Sequence, residues 1–549
     1  MTDVASLRPI VAVLVSAVAV LPILASRGRQ NLREGWTVLA AVTKLAVVAS
    51  MVPGVLGGTV YVTDLGTFVP GVSFALRADP LGLLFGLLAS LLWLVTSFYS
   101  IGYMRGLSEH DQTRYFAAFA ASLSAAVGVA FASNLLVLFV FYELLTVATY
   151  PLVAHDETDE ARAAGRKYLT YTFGGGVAVL GGVVLVFWAT GTTAFTPGGI
   201  AALAEADPLV ARAAFALLAG GFGVKAALMP VHSWLPDAMV APTPVSGLLH
   251  AVAVVKSGVF SIARVVLDVY GPGLVGELDA GIVLAAVAAF TLVVSSVIAL
   301  RQDNLKRRLA YSTVSQLSYI VLGLGVLHPT ALVGGLLHIP AHAFMKLTLF
   351  FCAGALHVET HTDDISEMAG IGHRMPLTMT AFGVAALGMA GIPLVAGFTS
   401  KFFLLIGTVS AGQVVFTAAL LVSGILNIAY FWPVVYAAFF ESPDQADQKP
   451  VVEHTLGGRF GSPTAATDGG TAPGGAGDGE THADTGHHSH GDGRGWESRR
   501  WNGAESTWFV VGPILFAATG SVVLGVVPDT AVFLRIVRLV VENATGVVV

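Results

Sequence analysis

The sequence predicts an all-α polytopic membrane protein with about fourteen transmembrane helices, and three observations predict it. Of the 549 residues, 55% are hydrophobic and 12% charged, about half the charge of a soluble domain, and the mean hydropathy is +0.76. The apolar residues gather into about fourteen stretches of roughly twenty residues, the length that crosses a bilayer as helix. Strands of roughly ten residues with alternating polarity, the mark of a membrane barrel, do not recur.

In chain order the stretches lie near 9–25, 36–56, 79–101, 115–131, 134–153, 167–190, 209–229, 243–267, 279–300, 309–327, 330–356, 376–407, 412–440 and 508–527. The first could pass for a signal-peptide core, but the many later spans make it the first helix. Gly174, Gly175 and Gly176 suit a helix that packs closely on a neighbour. Basic residues crowd into alternate loops: Arg27, Arg29 and Arg33; Arg105 and Arg114; Arg162, Arg166 and Lys167; Arg301, Lys306, Arg307 and Arg308; Arg374. By the positive-inside rule these loops face the cytoplasm, so both termini are expected outside a cell membrane.

Residues 442–506 break the pattern. They are rich in Gly, Asp, Thr and Pro and carry His454, His482, His487, His488 and His490. Such a stretch buries too little apolar surface to offset its ordering entropy, and a disordered cytoplasmic loop is expected, a solvated insertion before a metal site. After Pro528, the residues Phe533, Leu534, Ile536 and Val537 alternate with Arg535 and Arg538, which suits an amphipathic helix on the outer surface. The single cysteine, Cys352, lies in an apolar run and excludes disulfides and cysteine-ligated clusters. A net charge of −6 without a basic block gives no expectation of nucleic-acid binding.

The charges left inside the spans carry the functional reading. The basic residues divide into 21 Arg and 8 Lys; Lys44, Lys225, Lys256, Lys346 and Lys401 all lie in apolar stretches. Arginine stays protonated, whereas a buried lysine can give up its proton. A charge at mid-bilayer costs about 2.5–3.5 kcal/mol on insertion scales, so several must face water or one another. Lys44 is expected to snorkel or pair structurally. Glu143, in LLVLFVFYELLTVATYP, needs a cationic partner on another helix, and Lys225 is the natural one. Pro230 should break the helix one turn after Lys225, and Pro393, with Gly391 and Gly397, should break a second helix ahead of Lys401. Broken helices at membrane depth line cavities or lie buried in protein.

His338, His342 and Lys346 fall at i, i+4 and i+8, one helix face about 12 Å long, and form a ladder suited to proton hopping. His250 precedes Lys256 by six residues, so the two should reach different neighbours. His357, Glu359 and His361 read HVETH, but a zinc protease needs His-Glu-x-x-His. No metal or cofactor is therefore expected. Asp237, in WLPDA, is a weak candidate for cation binding, with a turn beside Pro236 as the plainer role.

Three blocks resemble signature segments of the proton-translocating antiporter-like subunits: WLPDAMVAPTPVSGLLHAVAVVKSGVFSIARV, RRLAYSTVSQLSYIVLGLG and AGIPLVAGFTSKFF. That family comprises Mrp-type multisubunit Na⁺/H⁺ antiporters, large membrane subunits of respiratory complex I, and membrane-bound hydrogenases. The resemblance covers roughly residues 79–440. It implies two inverted five-helix repeats, at 111–270 and 271–441, after N-terminal helices at 1–110 and before a C-terminal segment at 507–549. It also implies a charged, hydrated axis of Glu143, Lys225, Lys256, Lys401 and the His338, His342 and Lys346 ladder. Chain length and Lys401 resemble the D-type Mrp subunits most. The resemblance thus implies a proton-translocating subunit of a Na⁺/proton antiporter, not an enzyme, with other subunits as partners in the bilayer. The alternative is an antiporter-like subunit of a redox-driven complex; an unrelated transporter would need a substrate pocket that the sequence does not suggest.

Overall fold

The computed structural model describes residues 1–442, 505–529 and 532–549. The expected loop at 442–506, with its five histidines, falls almost wholly outside these residues. Helices α1 (Arg8–Ala25), α2 (Gln30–Ala49), α3 (Pro80–Gly106), α4 (Gln112–Phe131), α5 (Leu135–Val153), α6 (Asp159–Thr190) and α7 (Pro208–Lys225) make up the first half of the bundle. α8 is composite, running through Thr243–Gly247, Leu248–Val252, Val254–Arg264 and Val265–Val269, with π-helical turns at Leu248–Val252 and Val265–Val269. Then come α9 (Ala280–Leu300), α10 (Leu305–Val326), α11 (Pro329–Thr360), α12 (Pro376–Ala390), α13 (Ala396–Ser410), α14 (Val414–Phe440), α15 (Trp508–Val526) and α16 (Phe533–Thr545).

Twelve of the described helices are long and apolar enough to cross a membrane. The composite α8 and the α12–α13 pair supply two more apolar segments of crossing length, about 1.5 Å per residue. Helix starts follow the local chemistry. Asp79 accepts a hydrogen bond from the Gly82 N–H ahead of Pro80, Asn134 from Val137, Thr158 from Ala161 and Asn304 from Arg307, so exposed amide donors are capped at the membrane edge.

Both expected breaks are present, with one correction. α7 ends at Lys225 itself, not a turn later. Pro230 lacks an N–H and its ring would meet the carbonyl of Ala226, which disfavours a helical turn across 226–230. The second break separates α12 from α13 at Gly391–Val395, where Gly391 and Leu394 take positive φ.

Two features were not foreseen. Thr2–Ala5 (β1), Thr59–Val69 (β2) and Val72–Ala78 (β3) form a three-stranded sheet in the order β1-β2-β3, parallel then antiparallel. β1 precedes the first helix, whereas β2 and β3 lie between α2 and α3 in a β-branched and aromatic stretch that turns at Gly71. The C-terminal helix α16 has the expected amphipathic pattern, but its apolar residues Phe533, Ile536, Val537 and Val541 are buried, and it packs on α11 and α3.

Candidate functional site

The central helices bring the titratable residues together from α5, α7, α8, α11 and α13. Lys225, His250, Lys256, His338, His342 and Lys346 are each fully buried, and Lys401 nearly so. A buried polar group must find a partner, and each partner traces the route of the site.

At the α5 end, the Lys225 ammonium donates to the Tyr142 carbonyl at 2.6 Å and lies 3.4 Å from the centre of the Tyr142 ring. Glu143 is the next residue, near enough to interact electrostatically with Lys225. The expected charge partners are neighbours without a hydrogen bond between them: both carboxylate oxygens of Glu143 are buried without a hydrogen-bond partner among the described residues. Packing explains the carboxylate's place, because a Cβ at position 176 of α6 would collide with Glu143 Oε1. Glycine at 176 thus leaves the space that the carboxylate fills.

α8 meets α7 at its broken end. A Cβ at Gly258 would stand 2.7 Å from the Lys225 carbonyl carbon, so glycine permits the backbones to touch two residues from Lys256. The Lys256 ammonium and His342 Nδ1 are hydrogen-bonded between α8 and α11. His250, in the π-helical turn, points elsewhere: its Nδ1 is 3.0 Å from the Thr313 hydroxyl on α10.

Along α11 the ladder is in register. The His338 and His342 rings stack with centroids 6.0 Å apart. Lys346 donates to the Leu309 carbonyl at 3.1 Å and to the Ser312 hydroxyl. His338 Nδ1 is 2.8 Å from the Ser400 hydroxyl, and its Nε2 is 3.0 Å from Gln316 Oε1. Ser400 precedes Lys401, whose ammonium donates to the Met389 carbonyl across the α12–α13 break and lies 4.6 Å from the Tyr319 ring centre. The arrangement puts Lys256 in direct hydrogen-bond contact with His342, and His338 in contact with Ser400, the residue before Lys401.

Sequence reasoning missed the neutral members of this chain. Ser312, Thr313 and Gln316 on α10, with Ser400 on α13, join the titratable groups. Gln316 also reaches Asn427 Oδ1 on α14 at 3.4 Å. Their signal was the run YSTVSQLSY, polar at nearly every second position inside an apolar helix.

Polar mouths lie at the two ends of α6. Near its start, on the Arg-rich side, a cavity of about 430 Å³ is lined by Glu160, Lys167, Asp237, Asn304, Lys306 and Asp363. Asp237 pairs there with Lys167 at 2.5 Å, and His357 Nδ1, in the HVETH run, lies within hydrogen-bond distance of Asp363 at 3.0 Å at the end of α11. On this face burial, with His110 and Arg114 beside it, pushes His155 down to about 4, so it is neutral at physiological pH. At the opposite end the Arg264 guanidinium bridges Asp79, at 2.7 Å to each oxygen, and Asp268 at 2.7 Å. A cavity of about 280 Å³ opens over this cluster, with Arg77 and Asn543 in its wall. Lys44, apart from the axis, donates to the Leu123 carbonyl at 2.9 Å and lies 5.4 Å from the centre of the Trp93 ring.

Comparison with known proteins places these residues in a shared segment. A family profile described as NADH:quinone oxidoreductase/Mrp antiporter, TM, matches residues 132–427, a span that contains every axis residue from Glu143 to Lys401. NADH-quinone oxidoreductase subunit N of Desulforudis audaxviator is 35% identical over 389 residues, 70% of this chain and 76% of that protein. A probable K(+)/H(+) antiporter subunit of Rhizobium meliloti is 33% identical over 412 residues, 72% of this chain and 40% of its own length. A Na(+)/H(+) antiporter subunit of Alkalihalophilus pseudofirmus is 35% identical over 349 residues, 60% of this chain and 42% of its own length. The chain thus spans less than half of either antiporter protein. In fold it matches a chain of the Mrp complex from Dietzia sp. DQ12-45-1b, with a TM-score of 0.79, 23% identity and 98% of each chain covered. It also matches a chain of the membrane-bound sulfane sulfur reductase, an archaeal respiratory membrane complex, with a TM-score of 0.77 and 22% identity over 98% of this chain and 100% of that one.

Proposed function

Because the chain belongs to the NADH:quinone oxidoreductase/Mrp antiporter family, we propose that it is the proton-translocating subunit of a multisubunit monovalent cation (Na⁺)/proton antiporter in the cell membrane. The observation that carries the reading is the buried line in which Lys256 is hydrogen-bonded to His342, His342 stacks on His338, and His338 is hydrogen-bonded to Ser400 beside Lys401, with Lys225 one helix contact away. Every ammonium in it is buried in low dielectric, where charges act on one another far more strongly than in water. The Glu143 carboxylate stabilises the protonated form of Lys225; drawing the two apart releases that proton toward Lys256. Protons then pass along α11 to Lys401, with the Arg-rich mouth as the cytoplasmic end and the Asp79–Arg264–Asp268 cluster on the outer side. Na⁺ and the other subunits enter the reading through the relatives. The D-type place in such a complex is supported by Lys401.

A second reading is favoured by the match to subunit N: the same axis would serve a redox-driven pump whose electron carriers sit on partner chains. Everted vesicles that contain the chain with its native partners separate the two. A pH gradient is imposed without any electron donor, and Na⁺ is added. Antiport predicts collapse of the gradient. No response to Na⁺, together with proton uptake on adding a donor, gives the redox reading instead.

A further inference from the structure

Away from the axis, the Arg-rich face holds a group of side chains that proton transfer does not use. Glu109 and His110 lie in the turn between α3 and α4, and His155 lies in the turn between α5 and α6. Their ligand-type atoms are all within 4.8 Å of one another, and among the described residues this is the trio of His, Cys, Asp or Glu that converges so closely. His155 is completely buried, and neither of its ring nitrogens has a hydrogen-bond partner. A buried imidazole with both nitrogens unsatisfied is rare and calls for a water or an ion.

The neighbouring groups are arranged as a metal's would be. His110 Nε2 is 3.0 Å from the carbonyl oxygen of His155. A donor there leaves Nδ1 of the neutral ring as a lone pair, and a second nitrogen held by a backbone carbonyl is how proteins fix metal-binding histidines. That Nδ1 is 3.8 Å from the Glu109 carboxylate. The His110 and His155 rings stack at 4.8 Å, and Tyr115 abuts His155 edge-on. Arg114, the nearby cation, is already paired with Glu157 and Asp111. Access is open, since the side chains of His110 and Glu109 are 49% and 21% exposed.

We propose that Glu109, His110 and His155 form a binding site for Zn²⁺ that clips the α3–α4 turn to the α5–α6 turn. Two imidazoles and one carboxylate with an open position are a zinc donor set, at bond lengths of about 2.0–2.2 Å. Rotation of the half-buried Glu109 and small shifts of the two turns close the remaining separation, with His110 Nε2 kept on the His155 carbonyl. Sequence spacing hid the site because His110 and His155 stand 45 residues apart.

The test is equilibrium Zn²⁺ binding to the full chain in its native complex, with His454, His482, His487, His488 and His490 replaced by alanine to remove competing ligands. One Zn²⁺ per chain is expected, with a raised thermal midpoint and no such effect of Mg²⁺. His155→Ala and His110→Ala should each weaken binding by at least about tenfold, and His357→Ala should not. His110 is exposed, so His110→Ala reads the site even if His155→Ala fails to fold. Unchanged Zn²⁺ affinity in His110→Ala, or loss of binding in His357→Ala, overturns the proposal.

Discussion

A buried ammonium has three hydrogens to place, and the lysines of this chain place them differently. Lys44, Lys225 and Lys401 give one to a backbone carbonyl and rest near an aromatic face, while Lys346 uses a carbonyl and a hydroxyl. Among these five, Lys256 is the one hydrogen-bonded to a titratable side chain, His342. In the proposed relay, direct proton exchange between two side chains is therefore centred on α8 and α11. The step from His338 to Lys401 in this relay runs past Ser400, so Ser400→Ala should slow Na⁺-driven proton movement about two- to tenfold, the worth of one hydrogen bond. Ser400→Thr should restore it. Equal rates for wild type and Ser400→Ala in reconstituted vesicles would remove the serine from the route. The lysines and histidines were legible in the sequence because a titratable group is costly in an apolar run. The serines, Thr313 and Gln316 were not, since small polar side chains in membrane helices commonly bond their own backbone. Only the packing of α10 on α11 gives them a role.

Among the elements, the interrupted helices do the positioning. α7 stops at Lys225 because of Pro230, and α8 then packs against the freed end at Gly258. The proline was legible and the break followed from it; the contact partner was not, because a glycine in an apolar run marks no particular neighbour. The Glu143–Lys225 pair shows the same limit. Charge complementarity names the partners, but α5 and α7 pack so that the ammonium meets the Tyr142 carbonyl first. Gly258→Val would drive a branched side chain into the backbone at Lys225 and Ala226. Overpacking of this kind costs about 1–3 kcal/mol, so the thermal midpoint should fall and transport should fall further as Lys225 shifts from Lys256. A Gly258→Val protein with wild-type midpoint and transport would show that this contact does not position the axis.

For the molecule as a whole, the proposed route runs between two polar mouths through a buried line of titratable residues. The Arg-rich mouth and the Asp79–Arg264–Asp268 mouth lie at opposite ends of α6, and the axis crosses α5, α7, α8, α11 and α13 between them. The all-helical membrane character was legible from composition alone. The sheet of β1, ahead of the first helix, with β2 and β3 between α2 and α3 was not legible, and the burial of α16 against α11 depends on contacts that no local pattern encodes. What the bundle must do as a unit is make proton release at Lys225 depend on Glu143. The most direct measurement is Na⁺-driven proton movement in vesicles containing the assembled complex, compared among wild type, Glu143→Gln and Lys225→Ala, with assembly checked in each. The proposed relay predicts that both variants assemble and that both lose Na⁺-dependent proton movement. Undiminished antiport in both assembled variants would contradict it.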